Sequence, residues 1–318
     1  MQCRICGSDG EHTRYTVKEM MLGLRDEHAY FQCGACGCLQ ISQVPENLAD
    51  YYPSHYYSYD PPQAGNWVKQ QLVKARDQYA ATGQSLVGRL LNLSMPNSKL
   101  STLRPMGLRP SSRILDVGCG AGHLLYSLRE TGFRHVLGID PFNRENIHYP
   151  NGLTIEKRDI FSETGQWDLI MFHHSFEHLV EQHKTLQQAY TLLAPGGTVL
   201  LRVPTVSSYA WQHYGVNWSQ LDAPRHLFLH SVDSIQKLAE QNGFSVAQIA
   251  YDSNAFQFWG SEQYEQDIPL RSERSWADNP ANSPFTAGQI RQFEHRAREL
   301  NAVNKGDQAA FYLRKPAT

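Results

Sequence analysis

The 318-residue sequence has no long apolar run and no strong excess of either charge. No stretch approaches the roughly 18 apolar residues of a membrane-spanning helix. The N-terminus, MQCRICGSDG, has neither the basic nor the apolar segment of a secretory signal. A net charge of −2 gives no global field that attracts nucleic acid or anionic lipid. We therefore expect a soluble, cytoplasmic protein with no membrane-inserted segment.

Internal repeats and low-complexity tracts are also absent, and the length suggests about two domains. Differences in local composition predict three zones: a small cysteine-containing domain over 1–65, a helical linker over 66–110, and the main domain over 111–318. The first zone ends in the tyrosine-rich segment YYPSHYYSYD. The linker is predicted to be helical because apolar residues recur at helical spacing from Val68 to Tyr79.

Cysteine is scarce outside the first 38 residues, where five of the six cysteines lie. Four of them form two C-x-x-C-G pairs, Cys3 with Cys6 and Cys33 with Cys36. Two such turns facing each other supply four thiolates in a tetrahedron, which suits structural Zn²⁺. Cys38 is interpreted as a packing residue, and His12 and His28 are alternative ligands. A closed shell of four protein ligands predicts a folding role for the metal.

Charge is distributed unevenly between the first two zones. Residues 1–60 carry four Lys/Arg and eight Asp/Glu, whereas 66–110 carry seven Lys/Arg and only Asp77. A basic helical pair could attract a phosphate-bearing substrate. The alternative is an ordinary solvated helix face.

From residue 111 onward, strand-like apolar runs alternate with helical ones, which is typical of βαβ units and a parallel sheet. The first strand leads into a turn that contains Gly118, Gly120 and Gly122, where the backbone can approach a ligand closely. Three successive strands each end in an aspartate: Asp116, Asp140 and Asp159. These strand ends share the sheet edge at which open α/β folds bind ligands.

In DVGCGAG and its aspartates, the sequence resembles the class I S-adenosylmethionine-dependent methyltransferases. EHL at 177–179 and LLAPGGTVLLRVP at 192–204 are similar to later motifs of that family. The resemblance covers about residues 110–318 and implies a Rossmann-like α/β fold, a seven-stranded sheet with helices on both faces, beside the N-terminal zinc ribbon. It implies that Asp116 and the three glycines hold the methionine part of S-adenosylmethionine, Asp140 the ribose, and Asp159 with Ile160 the adenine.

The stretch HHSFEHL at 173–179 follows the fourth strand of this domain. We interpret His174 as a candidate general base, because the strand end is where the cofactor's sulfonium is expected. Some relatives in that family carry an E-x-x-E-H metal site here, so His174, Glu177 and His178 are candidate ligands for a second ion. The favoured interpretation is that Glu177 and His178 order the strand–helix turn.

A long aromatic loop at 207–231 ends in Pro-Arg-His and is a candidate substrate region. Arg225 offers a fork for phosphate or carboxylate, or else forms a salt bridge that holds the loop. His226 is a second candidate base. Tyr214 and Trp218 are candidates for stacking on a substrate ring or for the core.

The combined pattern of a cysteine ribbon, the tyrosine-rich segment and a DAPRHL loop resembles bacterial methyltransferases associated with sugar and surface-polysaccharide biosynthesis. We therefore expect methyl transfer to a small molecule, a nucleotide-linked or lipid-linked sugar that carries phosphate. The alternative is a ribosomal RNA methyltransferase that grips RNA with the ribbon and the basic helices. The acidic ribbon zone argues against nucleic acid as a partner.

Overall fold

The computed structural model describes residues 1–52 and 66–317, so most of the tyrosine-rich segment at 51–60 lies outside the described residues. The described residues form two compact units. The first unit contains 1–52, Phe176–His183 and Arg202–Phe311, and the second contains 66–175, Lys184–Leu201 and 312–317. The domain boundaries expected at 65 and 110 stay predictions.

The first unit contains a four-stranded antiparallel sheet in the order β1-β2-β3-β10. Its strands are β1 (His12–Lys18), β2 (Glu27–Cys33), β3 (Leu39–Ile41) and β10 (Phe228–Leu229). Phe228 pairs with Gln40 and Leu229 with Leu39. The predicted ribbon zone is therefore completed by two residues of the candidate substrate loop.

The first unit also contains four complete α-helices and one complete strand of the larger sheet. They are α6 (Tyr209–Tyr214), α7 (Val232–Gln241), β11 (Ser245–Tyr251), α8 (Phe256–Glu265) and α9 (Ala287–Ala302). Helix α7 begins after Ser231, whose side chain accepts a hydrogen bond from the backbone N–H of Ser234. Its buried residues Ile235, Leu238 and Ala239 recur at helical spacing.

The larger sheet has eight strands in the order β11-β12-β9-β8-β4-β5-β7-β6. The strands not yet given are β4 (Arg113–Val117), β5 (His135–Ile139), β6 (Ile147–His148), β7 (Thr154–Glu156), β8 (Trp167–His173), β9 (Leu193–Pro204) and β12 (Gln308–Arg314). Strand β4 runs parallel to β5 and β8, and β5 runs parallel to β7, as the βαβ alternation predicts.

The expected number of seven strands is wrong by one, because β6 adds a short antiparallel edge to β7. The backbone N–H of Tyr149 donates to the Leu153 carbonyl at 2.9 Å, which closes a tight hairpin between these strands. A two-residue strand has no apolar periodicity, so the sequence contains little signal for it. The result is a mixed sheet within an α/β fold.

The second unit also contains the helices of the predicted linker and those that follow. They are α1 (Trp67–Thr82), α2 (Leu86–Ser94), α3 (Ser98–Ser101), α4 (His123–Glu130) and most of α5 (Gln182–Leu192). Helix α2 packs against α1 at Gly88, where a Cβ atom would overlap the Ala75 carbonyl oxygen. Glycine at this position therefore sets how closely the two helices approach.

The core of the second unit is centred on β8. Leu169, Ile170, Met171 and Phe172 are all fully buried, as expected for a parallel strand covered on both faces. Within residues 1–52 and 66–317, no helix combines the length and apolar character needed to cross a bilayer.

Candidate active site and metal centre

The turn after β4 lies in the second unit and contains the glycines that are predicted to contact the cofactor. Gly118 has a φ of 73°, and its N–H donates to the Ile139 carbonyl at 2.8 Å. A Cβ atom at this position would lie 2.5 Å from the Cβ of Ser175, whose hydroxyl donates to the Val117 carbonyl at 2.6 Å. Both the left-handed conformation and the close approach therefore require glycine.

Asp116, at the end of β4, is buried, and one of its carboxylate oxygens accepts no hydrogen bond from the described residues. Its Oδ1 atom has no hydrogen-bond partner among the described residues. Burial and then the nearby charge of Asp140 raise the pKa of Asp116. A buried acceptor without a donor is costly, whereas a ligand's ammonium group would both donate to it and offset the repulsion. Asp116 therefore fits the methionine part of the expected cofactor.

Asp140, after β5, is buried and oriented by the same turn. Its two oxygens accept hydrogen bonds from the backbone N–H groups of Gly120 at 2.8 Å and Phe142 at 2.9 Å. Burial raises its pKa, and these N–H donors oppose that shift. The Asn143 side chain donates to the Gly120 carbonyl at 2.9 Å. Each carboxylate oxygen retains a lone pair, so Asp140 fits a ribose with two hydroxyl donors.

Asp159 occupies a different kind of position from the first two aspartates. It is exposed and caps a short 3₁₀ turn over Ile160–Ser162, accepting from the Ser162 N–H at 3.0 Å and its hydroxyl at 2.7 Å. Ile160 is buried beside it. The contact with adenine expected of these two residues stays a prediction.

The HHSFEHL stretch is divided between the two units. His173 ends β8, and His174 has a φ of 53°, both in the second unit. In the first unit, the carbonyl of the fully buried Glu177 accepts from the Leu227 N–H at 2.9 Å. His178 Nδ1 lies 2.9 Å from the Arg225 carbonyl oxygen. These contacts fix the candidate substrate loop and favour the structural interpretation of Glu177 and His178.

His226 is the best-oriented candidate base in the first unit. Its Nδ1 lies 2.7 Å from the Gln220 carbonyl, which can only accept, so we assign the proton to Nδ1 and the lone pair to Nε2. Nε2 lies 3.9 Å from a carboxylate oxygen of Glu177 and 3.9 Å from one of Asp222. Two carboxylates at this distance would stabilise the imidazolium formed when Nε2 takes up a proton.

Glu177, His178 and His226 together form a group that could hold a divalent cation. Each offers one ligand atom, and these atoms lie within 4.8 Å of one another. His226 takes the place in this group that the sequence suggested for His174. Burial and the neighbouring His226 lower the pKa of His178 to about 4, so its ring is neutral near pH 7.

Arg225 is fully buried and held by carboxylates of the first unit. Its guanidinium contacts Asp222 at 2.6 Å, Glu19 at 2.9 Å and the Tyr51 carbonyl at 3.2 Å. Burial opposes its charge, but Asp222 and Glu19 more than compensate and raise its pKa. These contacts leave no exposed donor for a substrate anion, and they favour the interpretation in which Arg225 holds the loop by salt bridges.

The four cysteines of the two C-x-x-C-G pairs meet in the first unit. Their sulfurs lie within 4.8 Å of one another, with 3.7 Å between Cys3 and Cys36 and 3.7 Å between Cys6 and Cys33. Zn–S bonds of about 2.3 Å in a tetrahedron place sulfurs about 3.8 Å apart, so the spacing fits zinc. The Gln40 amide donates to Cys3 Sγ at 3.1 Å, and buried Cys38 lies outside the group.

The family of the chain follows from its match to known sequences. A family model described as "Methyltransferase domain" matches residues 91–249, which is half of the chain. The chain belongs to this methyltransferase family. The match includes the glycine turn, the three aspartates, the HHSFEHL stretch and the loop with Arg225 and His226. The expectation of an S-adenosylmethionine-dependent methyltransferase is confirmed at the level of the family.

The sequence of the methyltransferase is similar to those of several known proteins, which do not share one name. It is 31% identical over 158 residues to the human mitochondrial ubiquinone biosynthesis O-methyltransferase, covering 42% of each chain. It is 23% identical over 219 residues to an uncharacterized 37.1 kDa protein in transposon TN4556 of Streptomyces fradiae, covering 58% of this chain and 62% of that protein. The chain thus matches less than two thirds of the length of these curated relatives.

Among solved structures, the methyltransferase is similar to the cyclopropane synthase MmaA2 from Mycobacterium tuberculosis. The TM-score is 0.42 at 16% identity, over 66% of this chain and 80% of that chain.

Several residues of the methyltransferase site were not predicted from the sequence. Asn143 and Ser175 bond to the glycine turn and to the strand before it, and Glu19 pairs with Arg225. Asn143 and Ser175 lie within or beside predicted motifs, so the sequence could have indicated that they belong to the site. Glu19 lies 206 residues from Arg225, and nothing in the local sequence indicates the pairing.

Proposed function

We propose that this methyltransferase transfers the methyl group of S-adenosylmethionine to a small molecule, a nucleotide-linked or lipid-linked sugar. The observation that carries the cofactor assignment is the buried Asp116 oxygen without a partner among the described residues, beside a turn in which only glycine fits. Several curated relatives are named as O-methyltransferases of ubiquinone biosynthesis, a small molecule, which supports an acceptor of that class. The sugar acceptor rests on the sequence resemblance.

In this proposal the cofactor is held by residues of the second unit and supplies a methyl group activated by positive sulfur. The residues are Asp116, Gly118, Gly120, Gly122, Asp140, Asp159 and Ile160. The protein's remaining tasks are to align the acceptor, exclude water and remove a proton if the acceptor atom is a hydroxyl or a carbon acid.

His226 is the first candidate for proton removal and His174 the second. The Nε2 atom of His226 takes the proton, and the carboxylates of Glu177 and Asp222 stabilise the resulting positive charge. Arg225 supports His226 indirectly, because its salt bridges fix the adjacent backbone.

Zinc in this proposal is structural and is bound by Cys3, Cys6, Cys33 and Cys36. The hydrogen bond that the Gln40 amide donates to Cys3 Sγ at 3.1 Å favours the thiolate form that a metal requires. One ion per chain is expected from elemental analysis. A second ion would assign metal binding to Glu177, His178 and His226.

The first test is S-adenosylhomocysteine release by the purified protein with two separate pools from bacterial cells. One pool contains low-mass metabolites enriched in nucleotide sugars, and the other contains total RNA. Turnover with metabolites alone supports the sugar acceptor. Turnover with RNA alone overturns it and favours the second candidate, an RNA methyltransferase that uses the basic charge of residues 66–110.

A further inference from the structure

Helices α1 and α2 of the second unit expose a concentrated set of large apolar side chains. Of the fifteen exposed residues of this kind in the described part of the chain, eight fall within residues 67–95. On α2, Leu86, Leu90 and Leu93 are 83%, 70% and 78% exposed. We call the full set the apolar face: Trp67, Val68, Leu72, Leu86, Val87, Leu90, Leu93 and Met95.

The spacing of the leucines places them on one side of α2. Leu86, Leu90 and Leu93 are separated by four and three residues, which is the repeat of a single helix face. In a helix on a globular protein this stripe faces the core. Here it faces outward, and an exposed stripe of this kind marks an interaction surface.

Contacts within residues 75–104 hold the helical pair together, so the apolar face is presented by a packed element. Gly88 lies against the backbone of α1. The Arg104 guanidinium donates to the Tyr79 carbonyl at 3.0 Å, and the Asn97 amide donates to the Asp77 carboxylate at 2.9 Å.

The helices that carry the apolar face also carry exposed positive charge. Lys69, Lys74 and Arg89 are exposed on the same two helices. The acidic residue of residues 66–110, Asp77, is buried and paired with Arg76 at 2.7 Å. The accessible charge of the helical pair is therefore positive.

Charge and apolar area together select one class of partner. A second copy docking face to face would bring these cations against each other. RNA would use the cations but would gain nothing from three exposed leucines. The surface of an anionic bilayer can interact with both the cations and the leucines. Its headgroups attract Lys and Arg, and the leucine side chains enter the boundary between the headgroups and the acyl chains.

We propose that α1 and α2 dock this methyltransferase onto anionic lipid bilayers as a peripheral protein. The helices lie in the interface and do not span it. The proposal does not depend on the identity of the methyl acceptor, and binding is measured without turnover.

The test measures sedimentation of the full chain with two kinds of vesicle: phosphatidylcholine alone, and phosphatidylcholine mixed with phosphatidylglycerol. The leucine variant is L86Q/L90Q/L93Q, and the cation variant is K69Q/K74Q/R89Q. The matched control, L24Q/V303Q, removes exposed apolar side chains from the first unit. Circular dichroism checks that every variant keeps the secondary structure of the wild-type protein before its vesicle binding is compared.

We expect the wild-type protein and the control to bind mixed vesicles and to bind phosphatidylcholine weakly. Each cation at an anionic surface contributes about fivefold in partitioning, so the cation variant should bind about a hundredfold more weakly. The leucine variant should lose about as much or more.

Four results would overturn the proposal. One is absence of wild-type binding to mixed vesicles, and another is vesicle binding that the leucine variant retains in full. The third is a concentration-dependent dimer that the leucine variant abolishes while no form binds vesicles, which would assign the apolar face to a second copy. Binding of total RNA that depends on the cations alone, without vesicle binding, would likewise assign the face to RNA.

Discussion

His226 shows how backbone contacts can prepare a single side chain for chemistry. The Gln220 carbonyl fixes which ring nitrogen carries the proton, and the Tyr30 hydroxyl donates to the His226 carbonyl at 2.9 Å. Both the tautomer and the backbone position are thus set by neighbours in the first unit. The residue type was predictable from the sequence, whereas its tautomer depends on a carbonyl six residues earlier and was not.

The first prediction concerns the role of His226 as base. His226→Ala should lower kcat by about a hundredfold to ten-thousandfold, because proton removal loses its acceptor. The affinity for S-adenosylhomocysteine, measured by calorimetry, should be unchanged, since none of the proposed cofactor residues is altered. The control is His295→Ala, which removes an exposed histidine. A weakened cofactor affinity with unaltered kcat would contradict the assignment.

A second prediction at this scale concerns His230, which is buried between Ser234 at 3.0 Å and Gln182 at 2.9 Å. Burial lowers its pKa to about 3, compared with about 6.5 in the unfolded chain. Below about pH 6.5 the His230 imidazole therefore binds a proton in the unfolded chain but not in the folded chain. The contribution to stability is complete above that pH, and it decreases by about 1.4 kcal/mol per pH unit on acidification.

The unfolding free energy contributed by His230 should accordingly fall by about 2 kcal/mol between about pH 7 and pH 5. Burial also raises the pKa of Asp307 to about 6, and this has the opposite sign, because stability is gained as the pH falls through 6. Urea titrations of wild type and His230→Gln separate the two effects. The stability difference between them should shrink by about 2 kcal/mol at the lower pH, and a constant difference would show that His230 is not neutral.

At the scale of elements, local signals were predictable and long-range pairings were not. The glycine turn, the βαβ alternation and the C-x-x-C-G pairs are encoded within a few residues, and the structure contains each of them. Strand β10 is formed by two residues whose partners lie in β3. The salt bridge from Arg225 to Glu19 likewise depends on tertiary contact. Neither follows from periodicity or propensity.

The third prediction tests the turn after β4. Gly118→Ala should cost about 3 kcal/mol or more, because it combines left-handed strain with overlap against Ser175. Gly107→Ala is the matched control, since Gly107 has a φ of 60° but open space around it. It should cost about 1 kcal/mol. Denaturant unfolding measures both variants, and equal losses would show that the approach to Ser175 is not limiting.

At the scale of the whole molecule, the first unit brings distant chain segments together around the four cysteines. Its small sheet combines residues 12–41 with 228–229, and Arg225 and Tyr30 join the same segments through their side chains. The small sheet beside the four cysteines therefore helps to position His226.

The fourth prediction follows from this arrangement. Removing zinc with a chelator should lower kcat strongly, because the strands that hold the substrate loop lose their metal constraint. S-adenosylhomocysteine affinity should be retained, and added zinc should restore turnover. Tyr30→Phe with zinc bound should lower kcat more modestly, by about fivefold, since it loses one hydrogen bond. Full activity of the metal-free protein would contradict the positioning role.

The strand order β1-β2-β3-β10 also has a consequence in time. At about 5 to 20 residues per second, roughly ten to forty seconds of synthesis separate β3 from its partner β10. All four thiolates emerge before that interval begins, so zinc can close the two turns first. During that interval one edge of β3 is unpaired. Because β3 has only three residues, this edge pairs poorly with non-native strands. On the proposed zinc assignment, metal binding during translation would order this edge before the strand next to His226 leaves the ribosome.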